Sequence, residues 1–264
     1  MHSPTLLHYK HLSKHRHLIS HFVSTRKGGV SKDSYATLNI GLHQDDKKEN
    51  VLENRQRVAK AIGITKEAMV FAEQVHGNRV ERIYPQQRGA GSDNHQHAIP
   101  RTDAMVTNYQ GLCLVTLSAD CVSILIFDPV VNAIGVAHAG WQGTVKAIAH
   151  ETIKALTKEF GSSPKDLLVG IGPAIGPCCY EVGQDVVEEI QSLSIDPNRV
   201  LSFKHQKAKP TLNLWRANQL LLIESGVNPD SIETMELCTN CNGHLFYSAR
   251  AGNRGRFGSG IMIR

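Results

Sequence analysis

The chain has 264 residues, 41% hydrophobic and 20% charged, and carries a formal net charge of +5. Such a chain can bury a substantial core and reads as one large soluble domain over 1–264, a monomer or a homodimer. No apolar run reaches membrane length, the start lacks an apolar signal core, and the basic residues are spread singly, so a membrane span, export and an extended nucleic-acid face are all disfavoured.

Residues 1–18 are histidine-rich, with His8, His11, His15 and His17 among lysines and arginines, and His21 follows. Lacking metal-ligand spacing, they read as a solvated, mobile or strand-edge segment. Residues 18–25 alternate like a strand and deliver Arg26 into Lys27-Gly28-Gly29-Val30, a turn whose N–H groups can approach an anion. After Leu38-Asn39-Ile40-Gly41, Asp45 and Asp46 open an amphipathic helix. Val51, Leu52, Val58, Ala61 and Ile62 share one face, and Gly63 takes the C′ position. Residues 70–75 read as a strand ending in Gln74-Val75-His76-Gly77, where His76 taken alone reads as a surface residue. The longest loop is 86–100, rich in Gly, Gln, Asn, Asp and His.

The stretch 111–144 places chemistry only at strand ends. Residues 112–117, 122–127 and 133–138 are apolar runs of strand length. Pro129 stops the second run, and a five-residue loop over 128–132 suits a hairpin pairing Phe127 with Ala133 and Val122 with His138. A slip of one residue sets Cys121 opposite His138. Either register brings a thiol and an imidazole together at the open end of the hairpin. Helical spacing follows over 143–160, and Gly140 and Gly143 leave the first amides of that helix open to phosphate or carboxylate. Residues 167–171 form a buried-type strand leading into the Gly/Pro-rich segment 172–180. Further helices are expected at 184–193 and 213–225.

Cys121 and His138 admit three readings. The bland one is a buried, inert cysteine beside an unrelated histidine. A Cys121–His138 pair would serve nucleophilic amide chemistry, as in an amidase or deamidase. A metal site would add a third ligand from elsewhere and leave one position open, the pattern of catalytic zinc. The residues by themselves scarcely separate the last two. Cys238-x-x-Cys241-x-x-His244 is a rival metal site but lacks a following ligand pair. Cys178 and Cys179, being adjacent, read as structural or surface residues. Six cysteines in a chain of this size fit reduced cytoplasmic thiols better than a disulfide framework.

The segments STRKGGVS (24–31), LNIG (38–41), ENRQRV (53–58), QVHG (74–77), TDAMVT (102–107), SADCVSILIFDP (118–129), VAHAGWQGT (136–144), GPAIGPCCYEVG (172–183) and CTNCNGHLFYSAR (238–250) together resemble the YfiH family. Its members were first described as laccase-like polyphenol oxidases and are regarded as purine nucleoside phosphorylases. The resemblance runs from about residue 20 to 264. It implies an α/β (α+β layered) fold of mixed β-sheets flanked by helices, similar in its core to cysteine-dependent toxin deamidases.

The resemblance also implies a metal site from His76, Cys121 and His138, which promotes His76 to third ligand. Zinc is the implied cofactor, with copper as an alternative. Arg26 and Arg250 match positions assigned to ligand or phosphate binding. Arg254 departs from the family's TGR pattern, although Gly255-Arg256 remain. The activity implied is phosphorolysis of inosine, guanosine, adenosine or methylthioadenosine, with adenosine deamination as a second activity. Asp120 and Asp103, near the metal motif, are candidate acid/base groups. Copper-dependent phenol oxidation is disfavoured, because such an oxidase needs many more paired histidines. A metal-stabilised binding module without turnover is the non-enzymatic alternative.

Overall fold

The computed structural model describes residues 3–203 and 209–264; the first two residues of the histidine-rich segment lie outside these. Its architecture is two facing mixed sheets with helices on their outer sides. One sheet holds β1 (Leu6–Leu7), β2 (Ile19–Ser24), β3 (Met69–Phe71), β6 (Cys113–Ser118) and β13 (Phe257–Ile263), in the spatial order β1-β2-β13-β6-β3. The other holds β4 (Val80–Arg82), β5 (Ala104–Thr107), β7 (Val122–Asp128), β8 (Ala133–Ala139), β9 (Leu168–Ile171) and β12 (Ile232–Thr234), in the order β12-β9-β7-β8-β5-β4. A small antiparallel pair, β10 (Leu201–Ser202) and β11 (Thr211–Leu212), stands apart.

Side-chain alternation builds the layers, since successive residues of a strand face opposite sides. Leu125, Phe127, Ile134 and Val136 of the β7–β8 hairpin share a core with Ile19, Val23, Leu114 and Ile261 of the other sheet. Their neighbours Ile124, Ile126, Ala137 and Ala139 pack instead with α4 (Ile148–Phe160), α5 (Gln184–Gln191) and α6 (Leu214–Glu224). Phe22, Val115 and Met262, on the far face of the first sheet, pack with Val58 and Ala59 of α2 (Lys48–Ala61). By parity with 134 and 136, His138 belongs to the face between the sheets, at the end of its strand. No helix among the described residues is long and apolar enough to cross a membrane.

Several local expectations change. The hairpin pairs Phe127 with Ile134, Val122 with Ala139 and Ser123 with His138, one residue off the expected register in the direction that separates Cys121 from His138 along the ladder. The cause is Asp128: its side chain accepts hydrogen bonds from Val130 and Val131 N–H while its backbone stays in the strand, so the loop is one residue shorter. The helix expected over 143–160 is two helices, α3 (Trp141–Val145) and α4, parted where Ala147 takes φ 58°. The strand expected over 70–75 stops at Phe71. The histidine-rich segment is not solvated throughout. It forms edge strand β1 and α1 (Lys10–Ser13), with Tyr9 and Leu12 fully buried, and His21 lies within β2, its ring accepting from Tyr9 N–H at 2.9 Å. On α2, Val51 and Val58 are buried as expected, but so are the polar Asn54 and Arg55.

Candidate active site

The QVHG segment is held by two devices that continue the sheets with side chains. β3 runs parallel to β6 as far as Phe71 opposite Val115. Beyond it the Gln74 side-chain amide takes over the ladder, donating to Leu117 O at 2.9 Å and accepting from Leu117 N–H at 2.8 Å. Asp103, just before β5, fixes the turn itself. Its buried carboxylate accepts from the N–H groups of Val75, His76 and Gly77 at 2.7–3.1 Å. That turn holds His76 at φ 58°, a sparsely populated conformation for a residue with a side chain.

The same carboxylate lies 2.9 Å from His138 Nδ1. This is the arrangement in which a carboxylate behind a ligating histidine fixes its tautomer and leaves Nε2 free. Cys121 comes from the link between β6 and β7, where its carbonyl accepts from the Ser118 hydroxyl. The Cys121 thiol lies 3.8 Å from His76 Nε2, and the His76 and His138 rings meet edge to face at 4.9 Å. One ligand atom from each of His76, Cys121 and His138 can be chosen so that all lie within 4.8 Å of one another. The expected Cys121–His138 meeting therefore occurs through the link before the strand, not through the hairpin ladder.

The surroundings fit a metal-sized group. A Cβ on Gly140 would come within 2.8 Å of Cys121 Sγ and 3.1 Å of His76 Cδ2, so only glycine leaves the cradle open. Electrostatically the set is a thiolate–imidazolium pair. Burial raises the Cys121 pKa, but His138 and His76 overcome it and bring the thiol down to about 6. Burial lowers the His138 pKa, but Cys121 and Asp103 overcome it and bring the imidazole up to about 9. Burial would also raise the Asp103 carboxyl, yet His138 and the turn N–H groups hold it below its ordinary value.

Two clefts meet at this cluster, and His76, Asp120 and Cys121 line both. The larger, of about 500 Å³, adds His43, His95, His138 and Arg256. The smaller, of about 290 Å³, adds Trp141, Gln142, Ile175, Tyr180 and Leu214. Asp120 sits on the seam at φ 96°, its carboxylate accepting from the Thr239 hydroxyl and from Arg250 N–H at 2.8 Å. His43, held at about 4 by burial and by Arg256, is neutral at pH 7.

The expected phosphate-binding arginines are not brought together. Arg26 lines neither cleft; its guanidinium donates to Ala36 O and Gly243 O and stacks 4.7 Å from the Tyr247 ring centre. Arg250 also lines neither cleft; it stands beside the smaller one, at its rim, with its guanidinium 5.4 Å from the Tyr180 ring centre and donating to Glu181 O. Arg256, His43, His95, Trp141 and Tyr180 line the clefts without a sequence motif that predicts them there; the Gly255-Arg256 pair and the histidine-bearing 86–100 loop are the available signals. α3 has only five residues, too short to provide the helix N-terminal phosphate site expected from a longer helix. Elsewhere, Cys178, Cys179, Cys238 and Cys241 come together, while His244 is not part of that group. The adjacency of Cys178 and Cys179 therefore does not keep them apart from the CxxC.

Residues 20–264 match the family described as multi-copper polyphenol oxidoreductase laccase. The chain is 37% identical over 243 residues to the purine nucleoside phosphorylase YlmD of Bacillus subtilis, covering 91% of this chain and 87% of that one. It is 31% identical over 241 residues to the adenosine deaminase RL5 of an unknown prokaryotic organism, covering 90% and 92%. The crystal structure of the hypothetical protein YfiH of Bacillus licheniformis superposes with a TM-score of 0.94 at 32% identity, covering 99% of this chain and 97% of that one.

Proposed function

Since the chain belongs to the multi-copper polyphenol oxidoreductase laccase family, which includes the YfiH and YlmD proteins, we propose that it is a cytoplasmic purine nucleoside phosphorylase. The observation that carries this reading is the pair of unlike clefts meeting at His76, Asp120 and Cys121. Trp141, Ile175, Tyr180 and Leu214 offer flat apolar surface for a purine. Arg256, with the His43 and His95 rings, offers a cation and ring nitrogens for phosphate. Arg250 at the rim is a second phosphate contact, and Arg256 takes the role expected of Arg26.

His76, Cys121 and His138 would hold the metal, and Asp103 positions His138. The set of two nitrogens and one sulfur with an open position favours zinc. A multi-copper centre would need several ions, and this is the only group with histidine that gathers three ligand atoms among the described residues. When bound, the ion supplies Lewis acidity beside the substrate. In the reaction a phosphate oxygen bonds to C1′ as the C1′–N9 bond breaks, and the bonding pair leaves with the purine. Arg256 and Arg250 orient the phosphate, the aromatic cleft holds the leaving base, and Asp120 relays a proton from the attacking dihydrogen phosphate to the purine nitrogen.

The test is incubation with inosine. Hypoxanthine and ribose 1-phosphate should appear only when phosphate is present, and Arg256→Ala should raise the phosphate concentration needed for half-saturation with metal content unchanged. Free ribose formed equally without phosphate would make the enzyme a hydrolase. Adenosine deamination is the second reading. It is favoured by the same donor set, which resembles the His/Cys zinc sites of nucleobase deaminases; ammonia release from adenosine with inosine untouched would select it.

A further inference from the structure

We propose a second metal site, independent of the proposed reaction: Cys178, Cys179, Cys238 and Cys241 bind one soft divalent ion, zinc in class, as a tetrathiolate. All four sulfurs lie within 4.8 Å of one another. Cys241 Sγ is 3.5 Å from Cys178 Sγ and 3.4 Å from Cys179 Sγ. A tetrahedral zinc tetrathiolate with bonds of about 2.3 Å has sulfur–sulfur edges of about 3.8 Å. A disulfide needs about 2.05 Å, and the six cysteines are free thiols here.

Adjacent cysteines can serve because of the turn they occupy. Cys179 N–H and Tyr180 N–H both donate to Gly176 O at 2.9 Å, which curls the segment and brings both thiols toward Cys241. Hydrogen-bond donors to sulfur are also in place, as ligating thiolates require. Gly176 N–H donates to Cys238 Sγ at 3.2 Å and the Asn240 amide to Cys179 Sγ at 3.2 Å. Binding exchanges four thiol protons for one dication, with no change of oxidation state.

The site would tie the 172–183 segment to the 238–250 segment. These carry Tyr180 of the smaller cleft and the two partners of Asp120, Thr239 and Arg250. It is therefore a structural centre holding one wall of the clefts.

Elemental analysis of the full-length protein, purified with zinc and desalted, should find two zinc ions per chain. Cys178→Ser with Cys241→Ser should remove one, and His76→Asn should remove the other independently. As a check that does not depend on the double variant folding, cadmium added to metal-stripped Cys121→Ser protein should still produce a strong thiolate-to-cadmium charge-transfer band in the short-wavelength ultraviolet. Unchanged zinc in the folded double variant, or no such band in Cys121→Ser, would overturn the site. So would a thiol count below six in freshly purified, metal-free protein, which would mean a disulfide. Bound inorganic sulfide would overturn the single-ion assignment in favour of a cluster.

Discussion

Asp103 does more at this centre than a nearby acid would. Its carboxylate takes hydrogen bonds from three backbone N–H groups and faces His138 Nδ1, so it sets both the path of the His76 turn and the His138 tautomer. Asp103→Asn keeps the shape but turns an amide N–H₂ toward one set of donors. Metal affinity should then fall ~10–100-fold, measured by competition with a chelator, while circular dichroism stays unchanged. The Cys121–His138 pair gives a second expectation, for metal-stripped protein. The thiol is lowered to about 6, so its contribution to stability is complete above its ordinary pKa and is lost as pH falls through about 6. The imidazole is raised to about 9, so its contribution is complete below its ordinary pKa and is lost as pH rises through about 9. Alkylation of Cys121 in stripped protein should therefore have its midpoint near pH 6, and zinc should slow it across the whole range. A midpoint in the ordinary thiol range would contradict the ion pair.

Among the elements, the hairpin and the joint between α3 and α4 decide the site's geometry. Gly140 has φ −67°, which any residue can adopt, so Gly140→Ala tests the open cradle and not backbone strain. The protein should fold normally and lose most of its metal, read by elemental analysis. At the joint, Ala147 stands at φ 58°, where a side chain is penalised by about 1 kcal/mol or more. Ala147→Gly should stabilise the protein by roughly 0.5 kcal/mol after glycine's own entropy cost, seen as a higher denaturation midpoint. Both elements also mark how far sequence reading reaches. The hairpin was legible from its apolar runs and Pro129, but its register was not, because Asp128 caps the turn without leaving the strand. The helical spacing runs straight through residues 146 and 147, so periodicity could not show the break. His76 lies forty-five positions from Cys121, and only the family resemblance could join them. The four cysteines were visible individually, but their meeting depends on a turn and on a loop sixty-two positions away.

Across the molecule, polar anchors fix the loops that the sheets leave loose. Arg55 is 1% exposed; it donates to Ile40 O, Gly91 O and Ser92 O and covers the Phe71 ring at 3.7 Å. Asn54 beside it donates to Thr37 O and Asn39 O. Helical propensity and an apolar stripe predicted α2, yet these two residues make it a clamp on the 28–41 and 86–100 loops, the second of which carries His95. Arg55→Leu strands three buried carbonyls and should cost about 3 kcal/mol or more, measured by chemical denaturation. Individual strands and helices were legible because apolar runs and helical spacing are local, whereas the layered mixed-sheet class came only with the family resemblance. The order of strands was not legible, since β13 enters from the far end of the chain.

That strand has a consequence in time. β13 lies between β2 and β6, and β6 carries the pairing that seats both the His76 turn and the Cys121 link. During synthesis all three donors have emerged once residue 138 is out, but the sheet beneath two of them stays open until residues 257–263 arrive. A nascent or truncated chain thus carries His76, Cys121 and His138 without the frame that aims them. Removing residues 257–263 should therefore abolish metal binding from a distance of more than a hundred residues, read by elemental analysis, although His76, Cys121 and His138 are all retained.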